Sequence, residues 1–141
     1  MKNVHQWLHA YGESHQHPTN KLIHWICVPA ILFSIIGLLW SLSTLSTLVL
    51  MGLSLFFYYK LSPPLAGAMG VIFVLSLTII QFLAHYLLIS SAVIFITAWV
   101  FQFIGHKIEG KKPSFFEDLQ FLMIGPLWCL AFLFRKKRLP Y

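Results

Sequence analysis

Acidic side chains are scarce in this sequence. Its 141 residues hold four Asp and Glu against ten Lys and Arg, and only 10% of them are charged. Soluble globular chains average about 25% charged and about 45–50% apolar residues. Here 58% are hydrophobic, which excludes an ordinary water-soluble domain and leaves an all-α integral membrane protein. From Trp25 to Tyr59 no charged side chain occurs at all. Cysteine is scarce as well: Cys27 and Cys129 both lie inside apolar runs and read as small buried hydrophobes rather than a disulfide framework. The first twenty residues lack an apolar core, so no cleavable signal peptide is expected. No internal repeat is evident. The net charge of +6 does not argue for nucleic acid, because the bases are scattered at the edges of apolar runs without a groove-reading motif. Membrane orientation accounts for them better.

What is present organises into one domain, 1–141. Residues 3–17 read as an interfacial amphipathic helix. Val4, Trp7, Leu8, Tyr11 and His15 fall on one stripe at 100° per residue, with Glu13 opposite. Pro18 is expected to end that helix, and Thr19 or Asn20 to cap the next. The run 25–59 is too long for one crossing, which takes about 20 residues. Ser41-Leu42-Ser43-Thr44 is its natural turn. Spans are therefore expected near 22–41, 45–59, 65–83 and 86–104, with breaks at Lys60–Pro64 and at Ala84-His85-Tyr86. Four crossings put Lys2, Lys21, Lys60, Lys107, Lys111 and Lys112 on one face, which the positive-inside rule assigns to the cytoplasm. A fifth crossing over 119–134 would carry the basic tail Arg135-Lys136-Lys137-Arg138 to the wrong side. That stretch contains Gly125-Pro126, so it reads as a bent, re-entrant or interfacial segment, with a fifth span as the alternative. Ser114-Phe115-Phe116-Glu117 has the form of a capping box.

The polar decapeptide HQHPTNKLIH, residues 15–24, stands directly before the charge-free run 25–59. His15 and His24 are nine residues apart, which on one continuous helix would be half a turn out of phase. A break at Pro18 lets the two rings face each other. Under the four-span topology His15, His17, His24, His106 and Glu109 reach the same membrane face. His106 and Glu109 are three apart and share a helix face, with Gln102 one turn earlier. Gly105 permits close approach of a neighbouring element. Imidazoles with a carboxylate suit Fe(II), Mn or Zn, and a 2-His-1-carboxylate set leaves positions open for substrate and O2. His5 and His9 have a metal-pair spacing but flank the wet edge of the stripe. His85 falls at the far turn and His17 reads as solvated.

These residues resemble a known family. The blocks His15-x-x-Pro18-x-Asn20-x-x-x-His24-x-x-x-x-Pro29 and Gln102-Phe-x-Gly105-His106, with Glu109 and Pro113 following, are similar to those of the 2-hydroxy fatty acid dioxygenases. These are small membrane proteins of fatty acid α-oxidation. The resemblance spans essentially the whole chain and includes Gly125-Pro126. It implies an Fe(II)-dependent enzyme that cleaves the C1–C2 bond of a long-chain 2-hydroxy fatty acid with O2, giving the acid one carbon shorter. On that resemblance His15, His24 and His106 are iron ligands, and Glu109 is a fourth ligand or a partner that fixes a histidine tautomer. Lys21 pairs with the substrate carboxylate or snorkels to lipid headgroups. Asn20 binds substrate or caps its helix, and Gln102 tethers a ligand histidine. The setting expected is a bacterial inner membrane, with the endoplasmic reticulum as the alternative and the metal site facing the cytoplasm. Membrane lipids are expected neighbours.

Other classes are separable. Di-iron hydroxylases and desaturases need paired boxes such as H-x-x-H-H, and none occurs here. A haem or other-metal redox carrier needs axial histidines facing each other within the spans. A non-enzymatic scaffold or lipid-binding protein needs none of them, and metal content and turnover distinguish it.

Overall fold

The computed structural model describes residues 2–13, 15–110 and 115–141, the last stretch with side chains from Leu122 onward. Ser114 and the Glu117 side chain of the expected capping box, and the side chains of Phe115 and Phe116, lie outside the described residues. Six α-helices follow one another: α1 Val4–Glu13, α2 Pro18–Leu42, α3 Thr44–Leu61, α4 Pro63–Leu83, α5 Leu87–Glu109 and α6 Phe115–Lys136. A 3-10 turn, Ala84–Tyr86, separates α4 from α5. There is no strand among the described residues.

Three stretches are long and apolar enough to cross a membrane: Pro18–Leu42, Thr44–Leu61 and the 47-residue Pro63–Glu109 that contains α4 and α5. Large apolar side chains such as Ile26, Leu53, Val71 and Ile96 are exposed on all four helices. A water-soluble protein does not tolerate so broad an apolar surface; a bilayer requires it. Several hydroxyls in these helices bond to their own backbone, as Ser34 does to the Ile31 carbonyl at 2.7 Å and Thr78 to that of Val74 at 2.9 Å.

Two junctions consist of a single serine. Ser43 ends α2 by donating its N–H to the Leu39 carbonyl and starts α3 by accepting from the Ser46 N–H at its Oγ. Ser62 does the same between α3 and α4, where Pro63 and Pro64 occupy the positions at which a missing N–H costs nothing. Gly110, with φ 81°, closes α5 by donating to the His106 and Lys107 carbonyls.

The start of the chain departs from expectation. The first helix ends at Glu13, not at residue 17, and Pro18 opens α2 rather than closing α1. Proline at the first helical position has its φ preset and no N–H to lose. The cap is His17, not Thr19 or Asn20: its Nδ1 accepts from the Thr19 N–H at 3.2 Å. His17 is exposed, yet it has a structural task. Toward the other end α5 continues to Glu109, five residues past the expected 104, which puts His106 and Glu109 on its last turn and a half.

Helices α2 and α5 form an antiparallel pair. Asn20 meets Gly105 at one end, and Gly37 meets Leu87 and Ser91 at the other. A Cβ on Gly105 would collide with the Asn20 side chain, and one on Gly37 with the Ser91 hydroxyl. Tyr58, buried near the end of α3, donates to the Met123 carbonyl at 2.8 Å and fixes α6 to the same end. The end of α6 then runs beside the start of α2, with Phe132 edge-on to Trp25. Tyr141 packs on His5 of α1. Val4 and Tyr11 are buried while His5, Gln6, His9 and Glu13 are exposed. Cys27 and Cys129 are free and buried.

Candidate metal centre

Three elements bring the centre together: the α1–α2 linker supplies His15, the second turn of α2 supplies His24, and the last turn of α5 supplies His106. All three are buried, at 2%, 1% and 7% exposure, although no aromatic histidine is a natural hydrophobe. Ring centroids lie 4.1 Å apart for His15 and His24, 5.1 Å for His24 and His106, and 5.8 Å for His15 and His106. One ligand nitrogen from each falls within 4.8 Å of the others.

Each of the first two rings is oriented by its other nitrogen. His15 Nδ1 lies 2.6 Å from the Tyr11 carbonyl, and His24 Nδ1 lies 3.0 Å from the Asn20 carbonyl. A carbonyl only accepts, so Nδ1 carries the proton and Nε2 is the lone-pair nitrogen in both rings. His24 Nε2 is buried with no hydrogen-bond partner among the described residues. Leaving a buried polar atom unmatched costs about 1–3 kcal/mol, so an arrangement of this kind calls for an occupant. Three neutral imidazoles placed this way are a donor set for a transition-metal ion. Tyr11 stacks on His15 at 4.2 Å and 7°. Its place four residues before His15 was the available sequence signal for that support.

Glu109 is turned elsewhere. Its carboxylate accepts from the Gln16 and His17 backbone N–H groups, both at 2.8 Å, and from Asn20 Nδ2 at 3.3 Å. It thereby ties α5 to the linker that carries His15. Asn20 is wholly buried between Glu109, Gly105 and the ring it orients, His24. Gln102 is buried and lines, with the three histidines and Trp99, a chamber of about 40 Å³. Lys21 is exposed and does not line that chamber; it faces a separate groove outside it. His85 sits exposed at the opposite end of the α2–α5 pair. His5 and His9 stay on the exposed side of α1, where His9 meets Glu13 at 3.4 Å.

With this geometry in view, comparison with known proteins is informative. Residues 1–137 match the family described as 2-hydroxy-palmitic acid dioxygenase Mpo1-like. A Saccharomyces cerevisiae protein named 2-hydroxy-palmitic acid dioxygenase MPO1 is 34% identical over 138 residues, covering 92% of this chain and 79% of its own. No solved structure matches.

Proposed function

The chain belongs to the Mpo1-like 2-hydroxy-palmitic acid dioxygenase family, and from that premise we propose that it is an Fe(II)-dependent membrane dioxygenase of long-chain 2-hydroxy fatty acids. A role in 2-hydroxy fatty acid metabolism follows from the family. The reading of iron and of C1–C2 cleavage is carried by one observation: three buried histidines on one centre, with the unmatched Nε2 of His24 among them. The reaction balances without a reductase: a 2-hydroxy acid and O2 give the acid one carbon shorter, CO2 and water, the substrate supplying all four electrons. Iron, when bound, supplies the one-electron chemistry that lets O2 react with a closed-shell acid.

The residues of the chain have separate tasks in this reading. His15, His24 and His106 hold the ion. The Tyr11 and Asn20 carbonyls keep His15 and His24 as Nδ1–H tautomers, so that Nε2 is the donor. Glu109 positions the linker through the Gln16 and His17 N–H groups, and Asn20 of α2 through its side-chain amide, rather than ligating. Gln102 borders the small chamber, and Lys21 offers a cation to the substrate carboxylate at its outer side. A chamber of about 40 Å³ leaves no room for a porphyrin, which disfavours the haem alternative.

Four crossings fit best. At 1.5 Å per residue the stretch Pro63–Glu109 would be about 70 Å long as one helix, over twice the hydrocarbon thickness. Ala84, with φ 50°, breaks it at midpoint. A fifth span would carry the end of α6 away from the start of α2, whereas Phe132 lies edge-on to Trp25. Arg135 near its end shares a groove with Lys21. The end bearing the histidines then carries the basic residues and faces the cytoplasm.

The test is direct. Purified protein loaded with Fe(II) and given 2-hydroxypalmitate is expected to consume O2 and release the C15 acid in equal amounts. The doubly substituted His24→Ala, His106→Ala protein is expected to retain neither iron nor turnover. Undiminished iron in that variant would sink the ligand set, and no O2-dependent shortening by wild type would sink the reaction.

A further inference from the structure

Two spaces of very different size meet at His15. The inner chamber, about 40 Å³, is lined by Tyr11, His24, Trp99, Gln102 and His106 together with apolar side chains of α2 and Leu122. A single water needs roughly 10–15 Å³ by the same measure, so the chamber takes a few water-sized molecules and no acyl chain. The outer groove, about 840 Å³, lies between α1, the start of α2 and the end of α6. That volume is within the range of about 300–1,000 Å³ typical of sites for extended organic ligands. His15 lines both.

The outer groove is amphipathic along its length. Lys21 and Arg135 are its fixed cations, and Trp25, Trp128 and Phe132 are apolar wall. Glu13 also lines it and pairs with His9 at 3.4 Å. Leu22 belongs to the wall, and it and Ile26, one turn on, are each 62% exposed on the surface of α2. The groove therefore runs by way of Leu22 toward the exposed apolar side chains of α2.

We propose that this outer groove binds the long-chain 2-hydroxy carboxylate, entering sideways from the bilayer, while the inner chamber is kept for O2. The proposal rests on the dioxygenase reading and adds where each substrate lies. The carboxylate meets Lys21 and Arg135, the chain lies along Trp25, Trp128 and Phe132, and the hydroxyl-bearing carbon is presented at His15. Arg135 and Trp128 become binding residues that no motif marked.

A 2-hydroxy C16 acid carrying a mid-chain diazirine, photolysed with the whole protein in lipid nanodiscs, tests this. Adducts mapped by mass spectrometry are expected on the segments around Trp25 and Trp128–Phe132, and excess 2-hydroxypalmitate should suppress them. Joint Lys21→Ala, Arg135→Ala substitution should raise KM by roughly tenfold or more, with iron content unchanged and kcat little altered. Gly12→Phe offers a steric plug. A Cβ at Gly12 meets only the Trp128 indole nitrogen, at 3.9 Å, so a larger side chain grows into the groove. It should abolish competable labelling while leaving iron bound. Adducts confined to α3 or α4 in wild type would overturn the proposal even if both variants misfold. So would unchanged KM and labelling in folded variants. If wild type labels the groove competably but neither holds iron nor shortens the acid, the groove stands and the dioxygenase reading falls.

Discussion

The two ends of the α2–α5 pair are built alike and used differently. At each end a glycine admits a polar side chain from the other helix: Gly105 admits Asn20, and Gly37 admits Ser91. At the Gly37 end Leu87 completes the contact, Ser41 donates to the Gly37 carbonyl at 2.9 Å, and the exposed His85 lines an open pocket with Ser41 and Gln81. At the Gly105 end the same intimacy is extended by Glu109, by the backbone of residues 16 and 17, and by three buried rings. Close helix packing is thus a general means of joining these two spans. What makes one end a centre is the linker of α1 and α2, folded over it.

That contrast is open to attack at several points. The largest effect is expected from His24→Ala, which should lower iron content and turnover by more than about a hundredfold, beyond what loss of a supporting group costs. His85→Ala at the opposite end should leave both at wild-type levels; metal analysis and product formation check the pair. Glu109→Gln should weaken iron binding by about tenfold to a hundredfold without abolishing it. Complete loss in a chelator titration would instead mean that the carboxylate ligates. Gly105→Ala and Gly37→Ala should each cost about 1–3 kcal/mol through overpacking. Thermal unfolding in detergent should register both, and only Gly105→Ala should also loosen iron, since its Cβ would lie 3.3 Å from His24 Cε1. The smallest effect is expected from Ala84→Gly. Glycine relieves a positive φ worth about 1–2 kcal/mol, so melting should rise slightly with turnover unchanged.

Much of this was legible in the chain. The phase argument for His15 and His24 needs only their spacing and a break between them, and the charge-free run 25–59 announces its own turn. What the residues did not disclose were choices between equivalent local solutions. Pro18 is compatible with ending one helix or beginning another, and the cap at His17 decides for the second. Thr19 and Asn20 are better cappers than histidine by preference, but Asn20 is held inside the site by Glu109, whose sequence distance of 89 residues hides the contact. The outward placement of Lys21 was equally invisible, because a single residue's heading at a helix start depends on packing by α1 and α6.

The antiparallel joining of α2 and α5 has a consequence for how the protein is made. The residues that converge come from positions 15, 24 and 106, so the first two must wait in the membrane surface until nearly the whole chain has left the ribosome. If the hairpin of α4 and α5 inserted the wrong way round, His106 and Glu109 would be stranded together on the opposite side, removing one of the three clustered rings and the tie that holds the linker. A chain threaded that way would lack the three-histidine cluster altogether.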